Sequence, residues 1–325
     1  MRVLVVHSDV GADARPDDLD TLTSADAVAT ALRGQGHVVA LAPFSASPDD
    51  VRKMLESFRA DAVFNMVESV SGQDSLAATA PAIFERIGVP YTGNASAPMA
   101  ITGDKPLAKR LMRAAGLPTP DWFEPPDWSG LDDTQTYIVK SATEDASLGL
   151  DDAALVRGQA AATARADRSA EQYGGRWFAE SFVDGREFNV ALLEEAGELR
   201  ALPVPEMRFE DWPAARPRIV GYHAKWDEAS CDAIKTVRGF GLEQEAPALA
   251  RTLSALALET ARLFGVRGYA RVDFRTDQDG RPFILEVNAN PCLDPQAGFA
   301  AAAGQAGLSY EAAIGSILAA AQPRR

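Results

Sequence analysis

Cysteine is nearly absent from this sequence. Only Cys231 and Cys292 occur among 325 residues, far apart and outside any Cys-x-x-Cys pattern. This excludes a disulfide framework and a thiolate zinc site. It favours a reducing compartment, and we expect the protein to be cytoplasmic.

Long apolar runs are also missing. The most apolar stretch, residues 246–268, is interrupted by Arg251, Glu259 and Arg262, so no transmembrane span and no membrane partner are expected. The N-terminal run MRVLVVH is short and soon turns acidic, unlike a signal peptide. It therefore predicts a first β-strand.

Positive charge is scarce. The chain has 32 Lys and Arg against 46 Asp and Glu, a formal net charge of −14, and no block of basic residues. A surface for nucleic acid or for anionic lipid is not expected from such a balance. A local basic pocket for phosphate groups remains compatible with it.

What is present is enough chain for two or three domains. Apolar runs alternate with helix-like segments over about the first 95 residues, which predicts an α/β layer around a parallel sheet. The predicted strands are 2–7, 37–43, 61–67 and 89–93, and the predicted helices run from about 24 to 34, 48 to 59 and 76 to 87.

After residue 98 the pattern changes to antiparallel sheet with fewer helices. Strands are predicted at 136–142, 177–183, 187–194, 199–205, 268–276 and 281–288, and helices at 104–120, 246–264 and 309–321. Residues 206–243 are polar and weakly periodic. A connection of that length predicts a functional loop or lid.

One predicted hairpin, YARVDFRTDQDGRPFILEVNANP, collects polar side chains on one face. Arg271 and Asp273 share a face of its first strand, and Glu286 and Asn288 share a face of its second. Two carboxylates and an amide oxygen suit Mg²⁺, which also binds substrate phosphates. The alternative is a salt-bridged patch formed with Arg271.

Two lysines add a second signal. Lys140 ends the apolar strand YIVK, and Lys105 opens a helix after ITGD. Each alone is typical of a solvated side chain. With Glu180 and Glu187, which flank the connection between two strands, and with the hairpin carboxylates, they predict a site for a nucleoside triphosphate.

The ordered set of these segments resembles the ATP-grasp superfamily, specifically the D-alanine–D-alanine ligase group. GDKPLAKRLMRAAGLPTP, IVKSATEDASLGL, DGREFNVALLE and ILEVNANP match in order and spacing, as do GHVV, DAVFN and GVPYTGN near the N-terminus. The resemblance implies an α/β (α+β) ATP-grasp fold. It would comprise an N-terminal parallel α/β domain (1–98), a small antiparallel central subdomain (99–182) and a mixed α+β C-terminal subdomain (183–325) with a lid at about 206–243.

The resemblance also implies ATP and two Mg²⁺ ions, or Mn²⁺ in their place. The implied roles are ATP phosphates for Lys105 and Lys140, adenine for Glu180, Phe182 and Val183, ribose for Glu187, metal for Asp273, Glu286 and Asn288, and catalysis for Arg271 and the lid residue Lys225. The implied reaction is an ATP-dependent ligation. A carboxylate becomes an acylphosphate, an amine attacks it, and ADP and phosphate are released.

The departures from the family concentrate on the amino-acid pocket. The residues at or near its expected positions are Asp17, Glu68, Ala146, Trp226, Cys292 and Ala297. Cys292 stands where the family has glycine, and we expect it to pack or to touch substrate, because no histidine lies near it in sequence to make it a nucleophile.

These departures predict a ligase for small amino-acid-like substrates other than D-alanine, forming an amide or peptide bond. The first alternative is a genuine D-alanine–D-alanine ligase of cell-wall synthesis. The second is an ATP-binding regulator without catalysis. A homodimer is expected by analogy with the family alone.

Overall fold

A computed structural model describes residues 1–11, 16–145, 147–214, 216–227 and 229–321, without the side chains of 16–18 and 226. Three β-sheets follow one another along this part of the chain. None of its helices is long and apolar enough to cross a membrane.

The first sheet is parallel, as the continuous apolar runs predict. Its strands are β1 (Arg2–His7), β2 (Val38–Pro43) and β3 (Ala62–Met66), in the order β2-β1-β3. Val3 and Val5 face one apolar core while Leu4 and Val6 face another, so β1 is buried on both sides.

The helices around this sheet are α1 (Pro16–Gly34), α2 (Pro48–Phe58), α3 (Thr79–Ile87) and α4 (Ser96–Thr102). Helix α1 begins earlier than the predicted residue 24, because the polar segment before Ser24 is helical too. The predicted strand 89–93 forms only an isolated bridge between Val63 and Tyr91.

The second sheet is antiparallel and small. Its elements are α5 (Lys105–Ala114), β4 (Trp122–Phe123), β5 (Thr136–Ser141), β6 (Leu155–Arg157), α6 (Gln159–Tyr173) and β7 (Trp177–Ser181), with strand order β4-β7-β5-β6. Helix α6 was not predicted. It buries Ala162 and Ala166, and alanine gives a weak periodic signal.

The third sheet is the largest. Its strands are β8 (Glu187–Glu195), β9 (Glu198–Ala201), β10 (Glu206–Phe209), β11 (Thr236–Gly239), β12 (Tyr269–Thr276) and β13 (Pro282–Ala289). Its helices are α7 (Tyr222–Trp226), α8 (Cys231–Lys235), α9 (Leu242–Glu245), α10 (Pro247–Phe264), α11 (Gly298–Gln305) and α12 (Tyr310–Ala319). The strand order is β11-β10-β8-β12-β13, and β9 also pairs with β8.

The segment 206–243 is more ordered than the predicted loop. Strands β10 and β11 form a hairpin that extends the third sheet, and α7 and α8 lie between them in sequence. The strands EMRF and TVRG are four residues long, too short to give a clear alternation.

The two faces of the third sheet differ. One face buries Phe188, Val190, Val272 and Phe274 against α10. Side chains alternate between faces along a strand, so Glu187 and Asn189 lie on the other face, as do Arg271 and Asp273. We call this second face the active face.

A buried polar node joins the first sheet to the third. Asn94 Nδ2 donates to Tyr269 O at 2.9 Å and to Asn290 Oδ1 at 3.1 Å, and Arg267 N donates to Asn94 Oδ1 at 2.8 Å. A Cβ on Gly93 would lie 2.3 Å from Asn290 Oδ1, so only glycine fits there. We propose that the three sheets correspond to the domains predicted at 1–98, 99–182 and 183–325.

Candidate active site

The hairpin β12–β13 places four of the predicted residues on the active face. Arg271 lies directly opposite Asn288, and Asp273 directly opposite Glu286. Directly opposed residues of an antiparallel pair share a face and are close neighbours. We call this group of four the metal end.

Asp273 is the hub of the metal end. Arg271 donates to both of its carboxylate oxygens at 2.8 Å, Asn189 Nδ2 donates at 2.8 Å, and Asn288 Nδ2 at 3.0 Å. Asn189 was missed in the sequence. Its spacing of two residues from Glu187 on β8 was the available signal, because that spacing puts both on one face.

Glu286 is surrounded by positive charge. Burial opposes its ionisation, but the cations Lys105, Lys140, Lys225 and Arg271 lower its pKa to about 2. The ammonium of Lys105 lies 3.9 Å from Glu286 Oε2. The glutamate is therefore fully ionised at neutral pH.

The donor set at the metal end fits Mg²⁺. Asp273 and Glu286 supply carboxylate oxygens, and Asn288 and Asn189 carry amide oxygens, all hard donors. Within the described ranges, no group of three or more His, Cys, Asp or Glu is arranged to hold a metal. The chain would supply two carboxylates and the amide oxygen of Asn288, and phosphate and water would complete the coordination, which is how Mg²⁺ is usually bound.

Lys105 lies between the metal end and the loop after β5. Its Nζ donates to Asp145 Oδ1 at 2.8 Å and to Glu144 O at 2.9 Å. Burial opposes its charge, but Asp145 and Glu286 raise the pKa of Lys105 above its usual value. The side chain is therefore a permanent buried cation.

Glu180 is enclosed by two lysines. Lys140 Nζ donates to Glu180 Oε1 at 2.8 Å, and the ammonium of Lys109 pairs with the other carboxylate oxygen. Lys109 is fully buried and also donates to Thr119 Oγ1 at 3.0 Å. Burial lowers the pKa of Lys109 to about 8 against the attraction of Glu180.

Lys109 was not among the residues predicted for the site. Its spacing of four residues from Lys105 on α5 was the available signal, because it puts both lysines on one helix face. The predicted contact of Glu180 with adenine stays a prediction.

The residues predicted around adenosine lie at the β7–β8 connection. Phe182 and Val183 line a shallow depression of about 440 Å³ with Asp184 and Phe283. The guanidinium of Arg275 stacks 4.9 Å above the Phe182 ring.

Arg275 also fixes Glu187. Its Nη1 donates to Glu187 Oε2 at 3.1 Å and to Arg218 O at 2.8 Å, and its Nη2 donates to Gly185 O at 2.9 Å. Burial raises the pKa of Glu187 above its usual value, and Arg275 opposes that shift.

The segment 206–243, predicted as a lid, contacts the loop between β5 and β6 of the second sheet. Tyr222 N donates to Leu150 O at 3.0 Å, Ser147 Oγ donates to Val220 O at 3.2 Å, and Arg216 Nε donates to Asp152 Oδ2 at 2.6 Å. A second ion pair joins Arg216 to Asp232 of α8.

Lys225, the lid residue predicted to be catalytic, is solvent-exposed on α7. It nevertheless helps to lower the pKa of Glu286. The structure therefore brings Lys225 within electrostatic reach of the metal end.

Acidic residues accumulate on the other side of Lys105. We call Asp20, Glu68, Asp74 and Asp145 the acid row. Burial and repulsion by Asp20 raise the pKa of Glu68 to about 8, and burial and repulsion by Asp145 raise the pKa of Asp74 to about 7. Thr21 Oγ1 donates to Glu68 Oε2 at 3.3 Å.

Cys292 lies next to the acid row, in the loop after β13. Its thiol donates to Asp20 Oδ2 at 3.2 Å and accepts from Asp294 N at 3.4 Å. Burial raises the pKa of the Cys292 thiol above its usual value, and Glu68 and Asp20 raise it further. A thiol that stays protonated is a poor nucleophile, so its role here is to pack and to hydrogen-bond.

The remaining pocket predictions have mixed outcomes. Ala297 is the N-cap residue of α11, close to this loop. The side chains of Asp17 and Trp226, and residue Ala146 as a whole, lie outside what the structure describes.

Comparison with known proteins places the chain among amide-forming ligases. Residues 111–319 match the family model described as D-ala D-ala ligase C-terminus. The D-alanine–D-alanine ligase of Laribacter hongkongensis is 34% identical over 310 residues, which are 93% of this chain and 91% of that protein. The ligase of the same name from Methylococcus capsulatus is 31% identical over 303 residues, 92% and 90% of the two chains.

Solved structures agree on the fold. A D-alanine–D-alanine ligase from Bacillus anthracis complexed with ATP superposes with a TM-score of 0.75 at 18% identity, covering 98% of this chain and 97% of that one. The enzyme from Coxiella burnetii gives 0.70 at 17% identity, covering 99% and 95%. The fold is therefore the predicted ATP-grasp fold.

Proposed function

The chain belongs to the D-alanine–D-alanine ligase family of ATP-dependent ATP-grasp ligases, and from this premise we propose that it joins two small amino-acid-like substrates. The proposed reaction activates a carboxylate with the γ-phosphoryl group of ATP. The amine of the second substrate then displaces phosphate, so an amide forms and ADP and phosphate are released.

The observation that carries the proposal is the clustering of fixed cations and carboxylates on one face of the β12–β13 hairpin. Arg271 and Asp273 face Asn288 and Glu286, and Lys105 reaches the same place from α5. Phosphoryl transfer requires positioning and charge neutralisation more than covalent help from the protein. An arrangement of fixed cations and carboxylates at one point meets that requirement.

We assign the phosphate groups to Lys105 and Lys140, and the magnesium ions to Asp273, Glu286 and Asn288. When bound, Mg²⁺ neutralises phosphate charge and polarises the transferred group. Arg271 is oriented by its two hydrogen bonds to Asp273, so its remaining N–H groups are held in place for the charge that develops on the reacting carboxylate.

The adenosine half is assigned to the β7–β8 connection. Phe182 and Val183 offer an apolar surface in the shallow depression, and Glu187 offers a carboxylate acceptor for ribose hydroxyls. Glu180 is held near them by Lys140 and Lys109.

The lid has a chemical purpose in this scheme. An acylphosphate hydrolyses in water, so a ligase gains when its site is covered during the reaction. The hydrogen bonds of the Tyr222 backbone N–H to Leu150 O and of the Ser147 hydroxyl to Val220 O support such a cover. Lys225 would add a cation from the lid side.

A second candidate is D-alanine–D-alanine ligation itself. The names of the relatives favour it. The contacts at Asp20, Glu68 and Cys292 favour a different pair of substrates, because a thiol and a protonated Glu68 alter the polarity of the region that adjoins the metal end. A silent nucleotide-binding protein would not require Arg271 together with both metal-end carboxylates.

The test is ADP release from Mg-ATP in the presence of pooled amino acids, each pool then resolved into its members. We expect stimulation by amino acids other than D-alanine. Stimulation by D-alanine alone would favour the second candidate. If ATP binds and no pool stimulates ADP release, the proposed ligase activity is wrong.

A further inference from the structure

Arg238 is a cation on the active face to which the reaction above gives no role. It lies on β11 directly opposite Met207 of β10, and Met207 lies directly opposite Glu187 of β8. Because directly paired residues share a face, this register puts Arg238 on the same face as Glu187 and Asp273.

The guanidinium of Arg238 extends to the loop after β13. Its Nη1 donates to Gln296 O at 3.3 Å, and its Nε and Nη2 lie 3.8 Å from the point where Gly298 would carry a Cβ. Ala297, between them, begins α11 and offers no side-chain cap. The guanidinium therefore stands beside a first helical turn whose backbone N–H groups have no intrahelical partner.

The charge of Arg238 is not balanced by the protein. Arg271 is paired with Asp273 and Arg275 with Glu187, whereas among the described residues no carboxylate forms an ion pair with Arg238. Burial lowers the pKa of Arg238, and repulsion by Arg271 lowers it further. A partly buried cation without a partner is costly, and an anionic ligand would remove that cost.

The nucleotide phosphates are assigned to other cations, Lys105 and Lys140. Arg238 instead lies beside the start of α11, because it donates to Gln296 O in the loop that also carries Cys292. We assign this loop to the organic substrate.

Arg238 and the start of α11 offer more hydrogen-bond donors than one carboxylate can accept. A guanidinium has five N–H donors, one of which is used by Gln296, and the helix start adds the N–H groups of Gly298 and Phe299. A carboxylate accepts about four hydrogen bonds. The surplus matches a substrate with two acidic groups.

We propose that Arg238, with the first turn of α11, selects an amine substrate that carries two acidic groups, as an aminodicarboxylic acid does. The proposal rests on the proposed ligase function and narrows its substrate class. A substrate with a neutral side chain would supply one carboxylate for both the Arg238 guanidinium and the first turn of α11.

The test compares acids with their isosteric amides. Binding of D- and L-aspartate, D- and L-glutamate and the corresponding asparagine and glutamine forms is measured by calorimetry, in the presence of Mg²⁺ and a non-hydrolysable ATP analogue. We expect at least one acid to bind about tenfold to a hundredfold more tightly than its amide, as a charge-assisted hydrogen bond predicts.

Arg238→Gln should remove that preference and Arg238→Lys should keep part of it. Arg208→Gln is the matched control. Arg208 lies on the same hairpin but opposite Val237, and it is paired with Glu206 and Glu245. This control should keep the full preference.

Wild-type protein that binds acid and amide equally, or binds neither, overturns the proposal. A preference that survives Arg238→Gln overturns it too. ADP release measured with the same compounds separates this result from the proposed function. Stimulation by neutral amino acids alone leaves the ligase function standing and refutes only the role of Arg238. An acid preference in binding with no ADP release from any compound supports the role of Arg238 and refutes the ligase function.

Discussion

The metal end and the acid row both contain carboxyl groups, but the surroundings of these groups are opposite. At the metal end, Lys105, Lys140 and Arg271 lower the pKa of Glu286 to about 2. In the acid row, burial and neighbouring acids raise the pKa of Glu68 to about 8. Lys105 stands between the two groups, bound to Asp145 on one side and close to Glu286 on the other.

This contrast shows how one site can hold partners of unlike charge. Ionised carboxylates beside fixed cations suit magnesium and phosphate. Burial and repulsion by neighbouring acids instead favour the protonated form of Glu68, which would ionise when an ammonium group enters. The four predictions below test the contrast.

The largest effect is expected at the metal end. Glu286→Gln removes the charge that Lys105 and Arg271 face, and ADP release should fall by roughly a thousandfold. Circular dichroism and the thermal midpoint should change little. The exposed helix residue Glu259, changed to Gln, is the control. Normal turnover in Glu286→Gln would refute the metal assignment.

The second effect concerns the buried lysines that pair with Glu180. Lys109→Met leaves Glu180 with Lys140 as its one remaining ammonium partner in the described pair contacts. Breaking a buried ion pair costs about 3 kcal/mol or more. Urea unfolding measures the free energy. A loss of unfolding free energy below about 1 kcal/mol would mean that the ion pair of Lys109 with Glu180 does not stabilise the fold.

The third effect belongs to the acid row and depends on pH. The pKa of the Glu68 carboxyl group is higher in the folded than in the unfolded state. Its contribution to the free energy of unfolding therefore becomes less favourable as pH rises from about 4.5 to about 8. Glu68→Gln should therefore stabilise the protein by about 1–2 kcal/mol at pH 9 and by much less at pH 5.

Urea unfolding at the two pH values gives the comparison. Asp127→Asn is the control, because hydrogen bonds from Ser129 lower the pKa of Asp127 and keep it ionised at both. Its effect should be the same at pH 5 and pH 9. An equal effect of Glu68→Gln at both values would contradict the raised pKa of Glu68.

The smallest effect concerns the segment 206–243, which we propose as the lid of the site. Arg216→Gln removes ion pairs to Asp152 and Asp232 that are partly exposed and worth about 0.5–1 kcal/mol. Chymotrypsin should cleave within residues 206–243 about two- to fivefold faster. Arg52→Gln, which breaks an exposed pair with Asp49, should leave the rate unchanged.

The metal end could be predicted from sequence because it depends on local rules. Alternation along a strand puts Arg271 with Asp273 and Glu286 with Asn288, and the DQDG turn joins the two strands. The ATP-grasp fold was predicted from the order of such segments and is confirmed. The structure also brings Lys105 and Lys140 to the same region.

The acid row and Arg238 could not be found in that way. The protonation of Glu68 depends on Asp20 and Asp74, which reach it only through the packing of α1 and of the segment after β3. Arg238 belongs to a four-residue strand, in a segment for which the sequence predicts a loop. Its position became visible only when the register of β11, β10 and β8 was known.

The node around Asn94 has a consequence for how the enzyme opens. Its bonds to Tyr269, Arg267 and Asn290 are buried, so we expect the first and third sheets to move together as one block. The second sheet contacts the segment 206–243 through Ser147, Leu150 and Asp152. We expect these hydrogen bonds and this ion pair to break at lower cost. We expect the four-stranded sheet to swing away from that block when ADP departs, so product release should slow in viscous solvent while the block keeps its amide hydrogens protected from exchange.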